Sequence, residues 1–404
     1  MHRFQFKKVH LWCLLSLSPI SLPVMAEGII DIKPYISTSI NYDDNVFRFS
    51  SPEQAKASLG SSETSDIIKQ IGLGVAVNLR LSRQLVTLSS NVNKSSFERF
   101  NNLDNIGKAN SLRWSWHIGS DIYGELSAGE TKAIAGFNES RSPVKNITTN
   151  GRQFASINWD LIPDWTINAS REHVNYKNAL VSSNVLDRED DIYQTGIQYQ
   201  SQLDTQLGLA YRIADSTFPN RTGTTQLTLG NDSTQKEIIA TAAWQPTAKT
   251  RISTRLSQVS LERKDSLIRD FNGFSQHWSL DHKPTGKLDF NLTAYQDVSP
   301  VDDVVSTYVK TKGVSINPSW NITSKVLLRA GLGYEQRSYI GSAGVSLNNT
   351  DRSDESRQAS LALIYAPTIK SVVQMQYQGE NRTSNQANSD YQYNSLNLSF
   401  RYDY

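Results

Sequence analysis

The chain has 404 residues, of which 41 are lysine or arginine, 39 are aspartate or glutamate, and one is cysteine. Its formal net charge of +2 is too small to indicate a nucleic-acid partner. The single cysteine, Cys13, excludes an internal disulfide and a thiolate metal site.

The N-terminal residues have the pattern of a secretory signal peptide. Residues 1–10 carry three bases and no acid, residues 11–24 are mostly apolar, and Val24-Met25-Ala26 supplies a small-residue cleavage site. We interpret residues 1–26 as a cleaved signal peptide. An uncleaved anchor is disfavoured because the apolar stretch contains two prolines and is shorter than the ~20 residues of a spanning helix. Cleavage removes Cys13 and three of the 41 bases, which leaves 38 bases against 39 acids.

Residues 27–404 repeat one pattern, in which apolar residues alternate with small or polar ones. Between Ile71 and Ser82, every odd position is apolar and every even position is glycine, alanine or a polar residue. This period of two is typical of a β-strand with one apolar face. Similar segments along the chain predict about 18 strands, within a range of 16 to 18. After the signal peptide no apolar run reaches 18 residues, so we expect no helical membrane spans.

The connections between the predicted strands are alternately short and long. Short connections lie near residues 82–83, 120–121, 161–164 and 201–204, and long polar ones fill residues 43–65, 132–150, 174–190, 215–235 and 338–355. This alternation is typical of bacterial outer-membrane barrels. We therefore predict an all-β fold, a transmembrane antiparallel up-and-down β-barrel with short periplasmic turns and longer extracellular loops. A β-propeller is disfavoured because each of its repeats holds four short strands.

A short motif recurs at four predicted turns. It reads WQPTAK, HKPTGK, WNITSK and YAPTIK, and its threonines, spaced by 38, 38 and 45 residues, are Thr247, Thr285, Thr323 and Thr368. Rings favour the membrane interface, proline and threonine favour turns, and lysine places a charge near the headgroups. We interpret the repeat as one hairpin plus one loop rather than a duplicated binding site.

The sequence offers no recognisable catalytic or metal-binding set. The histidines that remain after cleavage are His117, His173, His277 and His282, and their spacing fits no metal cluster. Carboxylate pairs such as Asp43-Asp44 lie in predicted loops and lack the spacing of a calcium-binding loop. We expect no enzymatic activity, no metal and no cofactor.

The polar faces of the predicted strands carry more arginine than acid. The acids assigned to these faces are Glu125, Glu172, Asp281 and Asp289. Seven arginines are predicted to face the lumen: Arg80, Arg113, Arg212, Arg251, Arg255, Arg329 and Arg401. An 18-stranded barrel encloses an aqueous channel unless loops fold into it. A basic wall favours anions in such a channel.

The segment that ends the first predicted strand, YDDNVFR, resembles a known family. With the signal peptide, the length and the W-x-P-T-x-K turns, it is similar to the EpsL-like outer-membrane barrels of exopolysaccharide biosynthesis loci, which often lie beside exosortase genes. The residues that carry the resemblance are Tyr42, Asp43, Asp44, Asn45, Phe47 and Arg48. The resemblance implies a role in polysaccharide assembly or export, with the polysaccharide and other export components as partners.

The last predicted strand ends on an aromatic residue. Its apolar face consists of Leu396, Leu398, Phe400, Tyr402 and Tyr404. This pattern resembles the terminal signal that the barrel-assembly machinery recognises. The resemblance implies that machinery as a transient partner, in addition to the outer-membrane lipid that surrounds a barrel.

Four functions stay open at this level. They are a conduit or accessory pore for exopolysaccharide export, a general or anion-preferring diffusion porin, an outer-membrane enzyme, and a surface protein whose loops bind a partner. The lack of a segment for a plug domain and of a catalytic set favours the first two, and the family resemblance favours export.

Overall fold

The computed structural model describes residues 29–201, 204–264, 270–300, 306–342 and 352–404. Residues 1–26, with the predicted signal peptide and Cys13, lie outside these ranges. The described chain forms eighteen strands: β1 (Ile30–Asp43), β2 (Asp66–Leu81), β3 (Gln84–Phe97), β4 (Asn105–Ile118), β5 (Ile122–Ile134), β6 (Ile147–Ile162), β7 (Trp165–Asn178), β8 (Arg188–Gln200), β9 (Gln206–Thr217), β10 (Asp232–Thr247), β11 (Thr250–Arg263), β12 (Phe271–Thr285), β13 (Leu288–Pro300), β14 (Ser306–Asn321), β15 (Val326–Ser342), β16 (Ser353–Thr368), β17 (Ser371–Ser384) and β18 (Tyr391–Asp403). The connections contain helices α1 (Pro52–Leu59) and α2 (Gly223–Leu229) and two 3-10 segments, Asn101–Leu103 and Val181–Leu186.

The strands form one closed sheet. Each strand pairs antiparallel with the next along the chain, and β18 returns to pair with β1, where Thr38 lies opposite Phe400. The predicted antiparallel barrel and its count of 18 strands are confirmed. Two rims result: short connections join the strands at one end, which we call the turn rim, and long connections join them at the other, which we call the loop rim.

The two faces of the sheet differ as the alternation predicts. Large apolar side chains point outward and are exposed, for example Leu73 at 62%, Leu332 at 60% and Leu398 at 52%. The inward positions of β2 hold Gly72, Gly74 and other small or polar residues. Exposed leucines at this density fit a surface that contacts lipid rather than water.

The four repeated turns share one hydrogen-bonding pattern. The hydroxyl of each motif threonine accepts a hydrogen bond from the backbone N–H of the motif lysine two residues later, at 3.1 to 3.3 Å. The lysine side chain then reaches the next turn: Lys249 Nζ donates to the Pro284 carbonyl at 3.0 Å and Lys325 Nζ to the Pro367 carbonyl at 2.9 Å. The motif therefore links successive turns along the turn rim.

No segment after the signal peptide shows a helical apolar stripe, yet the described chain contains two short helices. At α1 the Ser51 hydroxyl accepts the Gln54 N–H at 3.2 Å, Pro52 occupies the first turn, and Gly60 ends the helix at φ 76°. Eight residues are too few to show a helical apolar stripe, so these capping residues were the available signal. None of the helices in the described ranges is long and apolar enough to cross a membrane.

The links along the turn rim give a stability prediction. Replacing Lys249 or Lys325 by methionine keeps the aliphatic stem and removes the bond to the next turn. We expect a loss of about 0.5 to 1 kcal/mol in each variant, since the bonds are solvent-exposed. The measurement is the urea-induced unfolding of the protein in vesicles.

Lys370→Met is the matched control. Lys370 occupies the same motif position, but within the described chain its ammonium group makes no bond to a neighbouring turn. A loss of stability in Lys370→Met as large as in Lys249→Met would contradict the proposed link.

Candidate functional site

Three loops at the loop rim share a small apolar core. We call two of them the first loop, residues 44–65, and the crossing loop, residues 135–146. Phe47 of the first loop is fully buried and packs edge-on against Phe100 and Phe137, with ring centroids 4.7 and 4.8 Å apart. Phe100 belongs to the β3–β4 connection and Phe137 to the crossing loop. Apolar packing therefore fixes the three loops to one another.

The residues that carry the family resemblance build the start of the first loop. Arg48, at φ 59°, forms two hydrogen bonds of 2.9 Å with the Asp43 carboxylate. The Asn45 amide donates to the carbonyls of Phe49 and Gln392 at 2.8 and 3.0 Å. Of the other three residues, Phe47 belongs to the apolar core described above, Asp44 accepts a hydrogen bond from Asn394 of β18, and Tyr42 points outward. Most of this segment thus anchors the loop to the barrel wall.

Charge pairing also stabilises this anchor. Burial disfavours the charged form of Arg48, but the adjacent Asp43 carboxylate outweighs that effect and raises the pKa of Arg48 above its ordinary value. The guanidinium group stacks on the Tyr393 ring at 3.5 Å. Arg48 therefore stays charged and connects the first loop to β18.

The crossing loop extends from β5–β6 to the far wall of the barrel. Its Glu139 contacts Arg337 of β15, Arg352 beside β16 and Arg382 of β17. In the order of strands around the barrel, eight strands lie between β6 and β15. In the opposite direction, five strands lie between β5 and β17. Because Arg337 and Arg382 point inward, the loop reaches them across the mouth of the lumen.

These charged groups form what we call the mouth cluster: Glu139, Glu335, Arg337, Arg352, Asp354 and Arg382. Glu139 accepts from Arg337 at 2.9 Å and from both terminal nitrogens of Arg382 at 2.9 and 3.3 Å. Arg382 also binds Asp354, and both side chains are almost completely buried, at 2% and 1% exposure. Three carboxylates thus balance three guanidinium groups.

A basic residue of the crossing loop, Arg141, binds backbone acceptors. Arg141 donates to the carbonyls of Asn388 and Ser389 in the β17–β18 connection. Burial, with the positive charge of Arg382 nearby, lowers the pKa of Arg141 from its ordinary value. Arg141 therefore adds a further attachment between the crossing loop and the far wall.

A second group of buried apolar side chains lies at the loop-rim ends of β8 to β11. Inward-facing apolar residues of β8 to β11 are buried: Ile192, Ala214, Ile239, Val259 and Leu261. Phe218 and Leu229 of the β9–β10 connection are buried too. In that connection, Arg221 stacks on Phe218 at 3.3 Å and donates to the Gly230 carbonyl at 3.1 Å. Apolar side chains are therefore buried both on the inward face of these strands and in the adjoining connection.

The seven arginines singled out in the sequence stand on the inward register positions of their strands: Arg80, Arg113, Arg212, Arg251, Arg255, Arg329 and Arg401. Several pair with acids. Arg212 and Arg255 flank the buried Glu237 at 2.9 and 2.7 Å. Arg113 lies 3.2 Å from Glu125, and Arg401 lies 2.6 Å from Asp403. This pairing reduces the excess of positive charge that the sequence suggested.

The other residues from the sequence analysis lie apart from the mouth cluster. His277 pairs with Asp297 at 2.5 Å inside the barrel, and His282 bonds Thr250 near the turn rim. Leu396, Leu398, Phe400, Tyr402 and Tyr404 occupy outward positions at the barrel closure, and their recognition by the assembly machinery stays a prediction. In the described part of the chain, no three metal-ligating side chains come together.

The mouth cluster itself was missed by the sequence analysis. Glu139 and Arg382 are separated by 243 positions, and each looks like an ordinary charged residue near a strand end. The available signal was weak. Arg337 and Arg382 continue the inward alternation of their strands, but nothing in one sequence assigns Glu139 to them.

Comparison with known proteins identifies relatives by family and by fold. A family model described as "Putative beta-barrel porin 2" matches residues 164–404. OccK2 (OpdF) of Pseudomonas aeruginosa, solved with glucuronate, has a TM-score of 0.53 and 10% identity over 92% of this chain and 98% of that chain. A BenF-like porin from Pseudomonas fluorescens Pf-5 has a TM-score of 0.52 and 12% identity over 93% and 99%. At such identities the likeness shows the fold alone. Comparison with curated proteins gives no match.

The attachment of the crossing loop can be tested at Glu139. Glu139→Gln removes the charge that holds Arg337 and Arg382, and the half-exposed carboxylate makes the expected loss modest, about 1 kcal/mol. Because Arg141 lies in the loop, we expect limited trypsin digestion after Arg141 to become about fivefold faster. The rate is measured on folded protein in vesicles.

Glu262→Gln serves as the control, since Glu262 makes an exposed rim pair with Lys236 and does not touch the crossing loop. Equal cleavage rates in the wild type and Glu139→Gln would show that the mouth cluster does not hold the loop.

Proposed function

We propose that this chain, which belongs to the family described as "Putative beta-barrel porin 2", is a diffusion porin for small hydrophilic solutes. Its 18-stranded barrel spans the bacterial outer membrane, in agreement with the family. The turn rim then lies on the periplasmic side and the loop rim outside.

The observation that carries the proposal is the crossing loop, bound across a barrel whose inner wall is polar. Much of this wall is serine, asparagine and glutamine, for example Gln376 and Gln378 of β17 and Asn397 of β18. Such side chains are uncharged and hydrogen-bond water. A loop fixed at the mouth restricts the size of what enters, while the wall below permits diffusion.

The pairing of charges supports a general porin over an anion-preferring one. In the mouth cluster, three arginines face three carboxylates, and on the wall Glu237 lies between Arg212 and Arg255. Paired charges produce a weak net field at the pore axis. We therefore assign to this chain a transport function that discriminates little between solutes of different charge.

The expected behaviour is measurable by swelling of vesicles that contain the purified protein. Glucose and glucuronate have similar size and differ in charge, so we expect similar entry rates and a reversal potential near zero in a salt gradient. Much faster entry of glucuronate would identify an anion-preferring porin instead. Failure of both solutes to enter would contradict a porin function.

Export of an extracellular polysaccharide is the second candidate. It is favoured by the resemblance of the YDDNVFR opening and the repeated turns to EpsL-like barrels. Against it, Asp43, Asn45 and Arg48 have an evident role in loop attachment, which explains their identity without a polymer.

The two candidates differ in what a deletion strain loses. Under the porin proposal, deleting the gene slows uptake of small solutes and leaves secreted polysaccharide unchanged. A strain that loses the polymer and keeps its solute uptake would favour the export function. Complementation with the Glu262→Gln variant, which leaves the mouth cluster intact, should restore the lost property.

A further inference from the structure

A continuous row of lysines crosses four neighbouring strands on the outward face of the barrel. We call it the basic arc, and it consists of Lys69 of β2, Lys94 of β3, Lys108 of β4 and Lys132 of β5. Each lies on the same face as exposed apolar residues of its strand, such as Ile71 beside Lys69 and Val92 beside Lys94. The arc therefore points away from the lumen and plays no part in the pore.

The register places these lysines next to one another. Lys108 lies directly opposite Lys132 in the β4–β5 pair. Lys94 lies opposite Ile106, two positions from Lys108, which makes Lys94 and Lys108 diagonal neighbours. Such neighbours are about 5 Å apart at Cβ when opposite and about 7 to 8 Å apart when diagonal. The two lysines of each of these pairs are therefore close enough to bind one anion together.

Internal acids neutralise only two of the four lysines of the arc. Lys69 pairs with Glu98, and Lys132 lies 3.4 Å from Glu130. Lys94 and Lys108 form no ion pair with any residue that the structure describes. Like charges directly opposite each other destabilise a strand pair. The juxtaposition of Lys108 with Lys132 therefore favours an external anion between them.

The height of the arc identifies the source of that anion. Lys132 lies ten residues along β5 from Ile122 at the turn rim. Ten residues span about 33 Å along a strand, or about 25 Å along the axis of a barrel with strands tilted by about 40°. This distance equals the usual height of the lipid-facing apolar band. The arc lies at the loop-rim edge of the band, at the level of outer-leaflet headgroups.

We propose that the basic arc is a binding site for a phosphate-bearing lipid of the outer leaflet. The ammonium groups of Lys94, Lys108 and Lys132 bind the headgroup phosphates, and the acyl chains lie along the apolar outward side chains below them. The site depends on the position of the barrel in the outer membrane and is independent of what passes through the pore.

The test uses the folded full-length protein in detergent and diphosphorylated lipid A as the probe. Native mass spectrometry measures the fraction of protein with bound lipid during titration. The variant combines Lys94→Gln, Lys108→Gln and Lys132→Gln. We expect it to bind the probe about tenfold or more weakly, and the affinity of the wild type to fall as salt rises.

A matched variant tests whether lipid binding depends on the position of the lysines or only on the total charge of the protein. It combines Lys33→Gln, Lys283→Gln and Lys370→Gln, which removes an equal number of positive charges from the turn rim. We expect its affinity to match the wild type. Heat-dependent gel mobility checks that both variants are folded barrels, since a folded barrel migrates differently before and after boiling.

Three results would overturn the proposal. They are equal affinity of the arc variant and the wild type, an equal loss in the turn-rim variant, and equal binding of dephosphorylated lipid A to the wild type. If solute diffusion fails while lipid binding depends on the arc, only the porin function is rejected.

Discussion

Backbone hydrogen bonding in lipid is the constraint on which this structure depends. Inside a bilayer no water is present to satisfy an unpaired N–H or C=O group, so a sheet can span only if it has no free edge. Here β18 pairs with β1, and the terminal Tyr404 N–H donates to the Pro34 carbonyl at 2.9 Å. Closure then separates an outward face that contacts lipid from an inward face that encloses a polar space.

Closure of the barrel also brings together the charged side chains of the mouth cluster. The barrel wall provides inward positions near the loop rim, where Arg337, Asp354 and Arg382 are held by the sheet. A loop that contributes one carboxylate, Glu139, completes a balanced cluster with them. Asp354 and Arg382 are almost completely buried, so the loss of either would leave a poorly compensated buried charge, and the cluster therefore favours one arrangement. The apolar contacts of Phe47 then fix the other end of the same loop system.

The same alternation produces different chemistry at the two ends of the strands. At the turn rim, the motif threonine accepts a hydrogen bond within its turn, and the lysines of three motifs also donate to the next turn. At the loop rim, outward positions of β3 and β4 hold Lys94 and Lys108, while inward positions of β15 to β17 hold the acids and arginines that bind the crossing loop. A single period-two pattern thus supplies a lipid-facing surface, a pore wall and two distinct rims.

The sequence by itself determined the wall of this protein. Strand alternation and short turns are local, so the β-barrel, its 18 strands and the inward positions of Arg212 and Arg255 follow from neighbouring residues. Only the tertiary structure decided what occupies the mouth. The contacts of Glu139 with Arg382 and of Phe47 with Phe137 join positions far apart in the chain, and they form only after closure brings opposite walls together. Local patterns cannot specify such contacts, because each partner alone is an ordinary loop or rim residue.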